Sequence, residues 1–253
     1  MRVKNLAQAM DPVTDFGYKN LLVSGCSFTA NKNEHHLISW PYYLRDLGSF
    51  ERVIDCSCPG AGNTHIHNAV IHELESSPDI TPENTLVIVM WSGYDRDDFL
   101  VDPIVLKRKY TDSYYYTRDC ALGMTGGLAG ESNLLASVEN IKKIKSAESR
   151  ALENYILVTS LQGYLKSRGF KFLFTEAFTP GTVLYPEYDI IDYLSPDLSA
   201  KYVEMTRELT PTLGSWSIPY LELSADGCHP DPSVHLLWTE KILIPHLQKV
   251  LNV

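Results

Sequence analysis

The sequence predicts an α/β fold: a three-layer α/β/α sandwich built on a mainly parallel sheet of five strands. Two observations carry that expectation. Five short apolar runs are near-continuous rather than alternating, the pattern of strands covered by helices on both faces. Segments of helical spacing lie between them, so strand and helix alternate along the chain. The 253 residues suffice for one large domain, and nothing within 1–253 forces a boundary.

The strands are expected at about Asn20–Gly25, Arg52–Cys56, Leu86–Trp91, Phe170–Thr175 and Pro219–Leu223. Ser39-Trp40-Pro41 opens a first helix, with Pro41 suited to its first turn. A second begins near Asn63 or Thr64, either of which could cap it, and sets Ile66, Ala69, Val70 and Leu74 at core-facing spacing. A long helix is expected from about Glu131 to Ser167, stopped by Gly169. Two more cover about Leu198–Glu208 and Ser233–Leu251. The stretch 101–130 is the least regular, with Tyr114-Tyr115-Tyr116 followed by four glycines, and reads as an irregular insertion over the strand ends.

Composition excludes some function classes. A formal charge of -9 argues against binding to a nucleic-acid backbone, and the lysines at 142, 143 and 145 read as a solvated helix face. No window reaches the run of about 18 apolar residues that a membrane span needs. Residues 1–20 lack the apolar core of a signal peptide. The five cysteines follow no disulfide framework, which points to a reducing compartment. His65 and His67 stand two apart on a predicted helix, hence on different faces, and no Cys or carboxylate completes a ligand set with them or with His35, His36 and His72. No metal or organic cofactor is expected.

Chemistry-bearing residues gather where such folds bind ligands, beyond the carboxyl ends of the strands. Ser27 stands in the turn after the first strand, within Gly25-Cys26-Ser27-Phe28-Thr29. Gly60 follows the second strand, and Tyr94 and Arg96 follow the third. Asp226 and His229, three positions apart, precede the last helix. A serine hydroxyl becomes a nucleophile when an imidazole takes its proton and a carboxylate orients that imidazole. Cys26 precedes Ser27 and would point away from the site, so a thiol mechanism is the weaker reading.

These motifs resemble, in order, the sequence blocks of the SGNH (GDSL-like) hydrolase superfamily, from Gly25 to His229. The resemblance implies a flavodoxin-like sheet, Ser27 as nucleophile, His229 as base and Asp226 as its orienter. It implies an oxyanion hole that includes the N–H of Gly60 in Pro59-Gly60-Ala61-Gly62-Asn63. Trp91-Ser92-Gly93-Tyr94-Asp95-Arg96 sits where the third block belongs, but Tyr94 replaces the family's asparagine. Tyr94 through its hydroxyl, or Asn63 from the second block, would have to supply that donor, and Arg96 could orient substrate. Small phage-encoded and bacterial members with a Gly-Cys-Ser-Phe-Thr start are the nearest type, which implies a cytoplasmic or phage-particle setting. The implied activity is hydrolysis of a small acyl ester, most plausibly acetyl on a carbohydrate. The alternative is a non-catalytic binding or structural module of the same fold, such as a phage-particle component.

Overall fold

A computed structural model describes residues 14–30, 38–93, 96, 98–101, 116–117, 120–124, 147–177 and 229–252. Four parallel strands form its central sheet: β1 (Asn20–Ser24), β2 (Arg52–Asp55), β3 (Thr85–Trp91) and β7 (Lys171–Glu176), in the order β2-β1-β3-β7. Registers run Asn20↔Arg52 and Ser24↔Val89 around β1, and Leu86↔Lys171 to Trp91↔Glu176 between β3 and β7. Every residue of β1 and β3 is buried, which is why both read as unbroken apolar runs. The expected strand at Pro219–Leu223 and the expected helix at Leu198–Glu208 lie outside the described residues.

The chain leaves β1 toward β2 on one side and returns to β3 on the other. The β1/β3 boundary is therefore a topological switch point, where open parallel sheets bind ligands. Helix α1 (Trp40–Leu47) shares one layer with the C-terminal helices, and Trp40 meets Trp238 edge-to-face at 6.0 Å. Helix α2 (Asn63–Ser76) and helix α3 (Ala147–Ser167) pack against each other in the other layer. Ser24 Oγ donates to the carbonyl of Ile66 at 3.2 Å, tying β1 to α2. Leu21, Leu22, Leu44, Ile66, Leu86, Ile88 and Trp238 lie fully buried between these layers.

Local signals explain most helix ends. Pro41 stands in the first turn of α1, and Gly48 closes that helix by donating to the Leu44 carbonyl at 2.8 Å. Gly169 ends α3 in the left-handed region at φ +80°, where a side chain would be strained. The expected start of that helix, 131–146, lies outside the described residues. The last helical stretch comprises α4 (Pro232–Trp238), one π-helical turn (Thr239–Leu243) and α5 (Ile244–Leu251). Pro245 explains the widening: its ring cannot sit against the carbonyl four residues back, and a π turn relieves that clash. Asp231 caps α4, its Oδ1 accepting from the Ser233 N–H at 2.9 Å.

Two expectations need correction. Stretch 101–130 is not wholly irregular: β4 (Asp98–Val101), β5 (Tyr116–Thr117) and β6 (Cys120–Met124) form an antiparallel sheet in the order β4-β6-β5. Aromatic and β-branched residues around Tyr116 favour strand, and the neighbouring glycines masked that signal. The second correction concerns α2, whose cap position is Gly62 rather than Asn63 or Thr64. Glycine brings no capping side chain, so the cap comes from elsewhere in the chain.

Candidate active site

Ser27 is presented by a tight helical turn. The N–H groups of Thr29 and Ala30 both donate to the Cys26 carbonyl, at 2.9 and 3.0 Å. Gly25 makes the turn possible by its bareness. A Cβ there would lie 2.8 Å from Thr29 Cβ and 3.0 Å from the Met90 carbonyl oxygen. Ser39 Oγ donates to the Thr29 carbonyl at 2.7 Å, fastening the end of the turn to the start of α1. Cys26 is fully buried, while Ser27 remains partly exposed.

His229 reaches this turn from the far end of the chain. Its Nε2 lies 2.8 Å from Ser27 Oγ, across 202 residues of sequence. Phe28 flanks the imidazole, ring centroids 5.5 Å apart and tilted by 54°. The ring's tautomer sets which partner donates; in the tautomer that leaves Nε2 free to accept from the serine, Nδ1 carries the imidazole's own hydrogen. Asp226 and Tyr94 lie outside the described residues.

The Gly60 loop is anchored to the same strand end. Parallel pairing continues past β2, with Cys56 N–H donating to Val23 and Cys58 N–H to Gly25, at 2.8 and 3.0 Å. Gly25 stands two residues before Ser27, and Cys58 two before Gly60, so the pairing holds the two loops side by side. Gly60 adopts φ +81°, where glycine is the residue without penalty.

Asn63 is a structural bracket. Its carboxamide accepts from the Ser92 N–H at 2.8 Å and donates to the Ser92 carbonyl at 3.1 Å and to Asn154 Oδ1 at 2.8 Å. Both amide hydrogens are thus spent on buried acceptors, which leaves none for the oxyanion role expected of this residue. The bracket joins the first turn of α2 to the end of β3 and to α3.

Asp98 supplies the missing cap of α2. Its carboxylate, from β4, accepts from the N–H of Gly62 at 2.8 Å and of His65 at 2.7 Å. A negative charge at a helix N-terminus is favourable, and two otherwise open donors are satisfied. In the sequence Asp98 stands in the charged run Asp95-Arg96-Asp97-Asp98, a pattern that usually marks a solvated surface. The overlooked clue was a glycine in the cap position, which calls for a carboxylate from outside the helix. Arg96 stands in the turn before β4, its N–H donating to the Gly93 carbonyl at 3.2 Å. Its Nη1 is buried without a hydrogen-bond partner among the described residues.

Other titratable groups nearby are shifted by burial. His235, behind His229 on α4, is held neutral with its pKa pushed down to about 3, by burial first and by the neighbouring His229 charge second. Burial also takes His65 down to about 4, and His67 instead is only partly buried, paired with Ser160 at 2.9 Å. Glu176, at the carboxyl end of β7, is pushed up to about 8 by burial, a feature that sequence reading missed. Among the described residues, no three His, Cys, Asp or Glu side chains gather as metal ligands. No helix among them is long and apolar enough to cross a membrane.

No family model matches the sequence, and no curated protein matches it. Solved structures similar to the chain include the protein YxiM from Bacillus subtilis, with 11% identity and a TM-score of 0.48 over 93% of this chain. The chain spans 57% of the length of YxiM. TesA is similar at 15% identity and a TM-score of 0.47, covering 91% of this chain and 99% of its own. A Desulfitobacterium hafniense protein assigned to the G-D-S-L family of lipolytic proteins follows at 12% identity and a TM-score of 0.46, covering 92% of this chain and 99% of its own.

Proposed function

We propose that this chain is a serine hydrolase of SGNH type that cleaves a small acyl ester, with acetyl on a carbohydrate as the favoured substrate. The observation that carries this reading is the 2.8 Å approach of His229 Nε2 to Ser27 Oγ at the switch point of a parallel sheet. A partly exposed serine on a glycine-enabled turn, in hydrogen-bond contact with an imidazole, has the parts of an activated nucleophile.

In this mechanism His229 takes the Ser27 proton as Oγ attacks the ester carbonyl. Asp226 is assigned the role of accepting the Nδ1 hydrogen and so holding the imidazole in the required tautomer. The carbonyl π electrons move onto oxygen, and the N–H groups of Ser27 and Gly60 receive the developing charge. With the Asn63 amide committed elsewhere, the third donor falls to Tyr94. The tetrahedral intermediate collapses as the protonated His229 gives its hydrogen to the leaving alkoxide, and an acyl-serine remains. Water, deprotonated by His229, then attacks the acyl carbonyl and releases the acid and free Ser27. Arg96, whose Nη1 is buried without a hydrogen-bond partner among the described residues, orients the alcohol side of the substrate.

The test is a ladder of nitrophenyl esters from acetyl to octanoyl, run beside an acetylated monosaccharide, with a fluorophosphonate probe as the covalent reporter. The expected result is turnover that falls as the acyl chain lengthens, and a single adduct on Ser27 that is absent in Ser27→Ala. Folded protein that neither turns over an ester nor takes the probe would instead favour the non-catalytic module.

A further inference from the structure

We infer that Asp98 is a positioning residue for the oxyanion hole: from β4, it clamps the far end of the loop that carries Gly60. This rests on the hydrolase reading above and adds to it a residue outside the proposed triad and donors. Gly60 sits in a turn closed by its own backbone, the Ala61 N–H donating to the Cys58 carbonyl at 3.0 Å, and the loop that holds this turn has two further anchors. One is the Cys58 N–H on the Gly25 carbonyl at 3.0 Å, an extension of the sheet. The other is the Asp98 carboxylate, which takes the Gly62 and His65 N–H groups at 2.8 and 2.7 Å. Gly60 lies between them, at the left-handed position of that turn, with φ +81°.

Gly62 is the residue that admits this clamp. A Cβ on Gly62 would sit 2.7 Å from Asp98 Oδ2 and 2.7 Å from the Arg96 carbonyl oxygen, so any side chain there would push β4 away. The carboxylate also fills the place at the α2 N-terminus where a substrate anion would otherwise bind. The negative end of the reaction is therefore left to the Gly60 N–H, two residues before the cap. A clamp of this kind affects the transition state more than substrate binding, because the oxyanion develops only as the carbonyl is attacked.

The experiment pairs amide hydrogen exchange with probe labelling in wild type, Asp98→Ala, Asp98→Asn and Gly62→Ala. Loss of the cap predicts exchange at Gly62 and His65 about tenfold faster in Asp98→Ala. Displacement of the Gly60 N–H predicts Ser27 labelling and kcat about ten- to a hundredfold lower, with KM little changed. Asp98→Asn, which keeps one acceptor oxygen, should recover part of both effects, and Gly62→Ala should reproduce the loss by displacing the carboxylate. Unchanged exchange in Asp98→Ala would overturn the clamp. Faster exchange with labelling and kcat intact would overturn its link to catalysis. A wild type that never labels sinks the hydrolase reading instead, and exchange alone then decides whether Asp98 holds the loop.

Discussion

The Ser27 turn and the Gly60 loop both follow parallel strands, both lean on Gly25, and both face the same edge of the sheet. Both are closed by a backbone turn, the Gly60 loop through the Ala61 N–H on the Cys58 carbonyl at 3.0 Å, but they differ in what else holds them. The Ser27 turn is closed by its own backbone, through the two bonds to the Cys26 carbonyl, and needs a bare Gly25 to fit. The Gly60 loop leads into a helix whose first turn depends on side chains far off in sequence: Asp98 from β4, and Asn154 from α3 through Asn63. The proposed nucleophile is placed mainly by local backbone, whereas the loop of the proposed oxyanion donor is also held by side chains from β4 and α3. Damage to distant elements should therefore reach the oxyanion side first.

The largest expected break falls on the long-range side. Asn63→Ala strands the Ser92 N–H and carbonyl in a buried place, and the cost should be about 2–4 kcal/mol in urea unfolding. Asn63→Asp cannot donate to either acceptor and should recover little of that loss. If Asn63→Ala unfolds at the wild-type midpoint, the bracket does not join α2 to β3 as described.

A smaller effect is expected at the local turn. Gly25→Ala pushes a methyl group against Thr29 and the Met90 carbonyl, and should cost about 1–3 kcal/mol. Ser27 labelling should slow in this variant even where the protein is fully folded. A Gly25→Ala protein with unaltered stability and labelling would show that the turn has slack that the geometry denies.

A third test, silent at neutral pH, concerns the imidazole of His235 beside His229. His235 has a folded-state pKa of about 3, below its ordinary value of about 6.5. Above pH 6.5 neither state binds the proton, so this group contributes no pH dependence there. Between about 6.5 and 3 the unfolded chain takes a proton that the folded one refuses, and stability falls as pH falls. The slope from this one group is about 1.4 kcal/mol per pH unit. His235→Gln should flatten the acid limb of a stability–pH curve by that amount, and an unchanged limb would place the proton elsewhere.

The same comparison explains what could be read from the sequence. Strands β1 and β3 were legible because burial on both faces writes itself as an apolar run, and β2 and β7, only partly buried, still carry short apolar stretches at Val53-Ile54 and Phe172-Leu173-Phe174. The encounter of Ser27 with His229 was legible from residue type and order, since few other arrangements use a turn serine after the first strand and a histidine before the last helix. Gly60 was legible as a turn residue. Asp98 was hidden in an acidic run, because nothing in Asp95-Arg96-Asp97-Asp98 says which carboxylate turns back onto a helix. The role of Asn63 was misread, because its partners at Ser92 and Asn154 are fixed by how α2 and α3 meet. The antiparallel strands were obscured by the glycines around them.

The most direct test of the central claim is the rate of fluorophosphonate labelling at Ser27 in wild type and in His229→Gln, at neutral pH and in folded protein. If the imidazole activates the hydroxyl, the variant should label on the order of 10⁴-fold more slowly, with the adduct on Ser27 in wild type. Equal rates in the two proteins would mean that a 2.8 Å contact joins these side chains without chemical consequence, and would contradict the account.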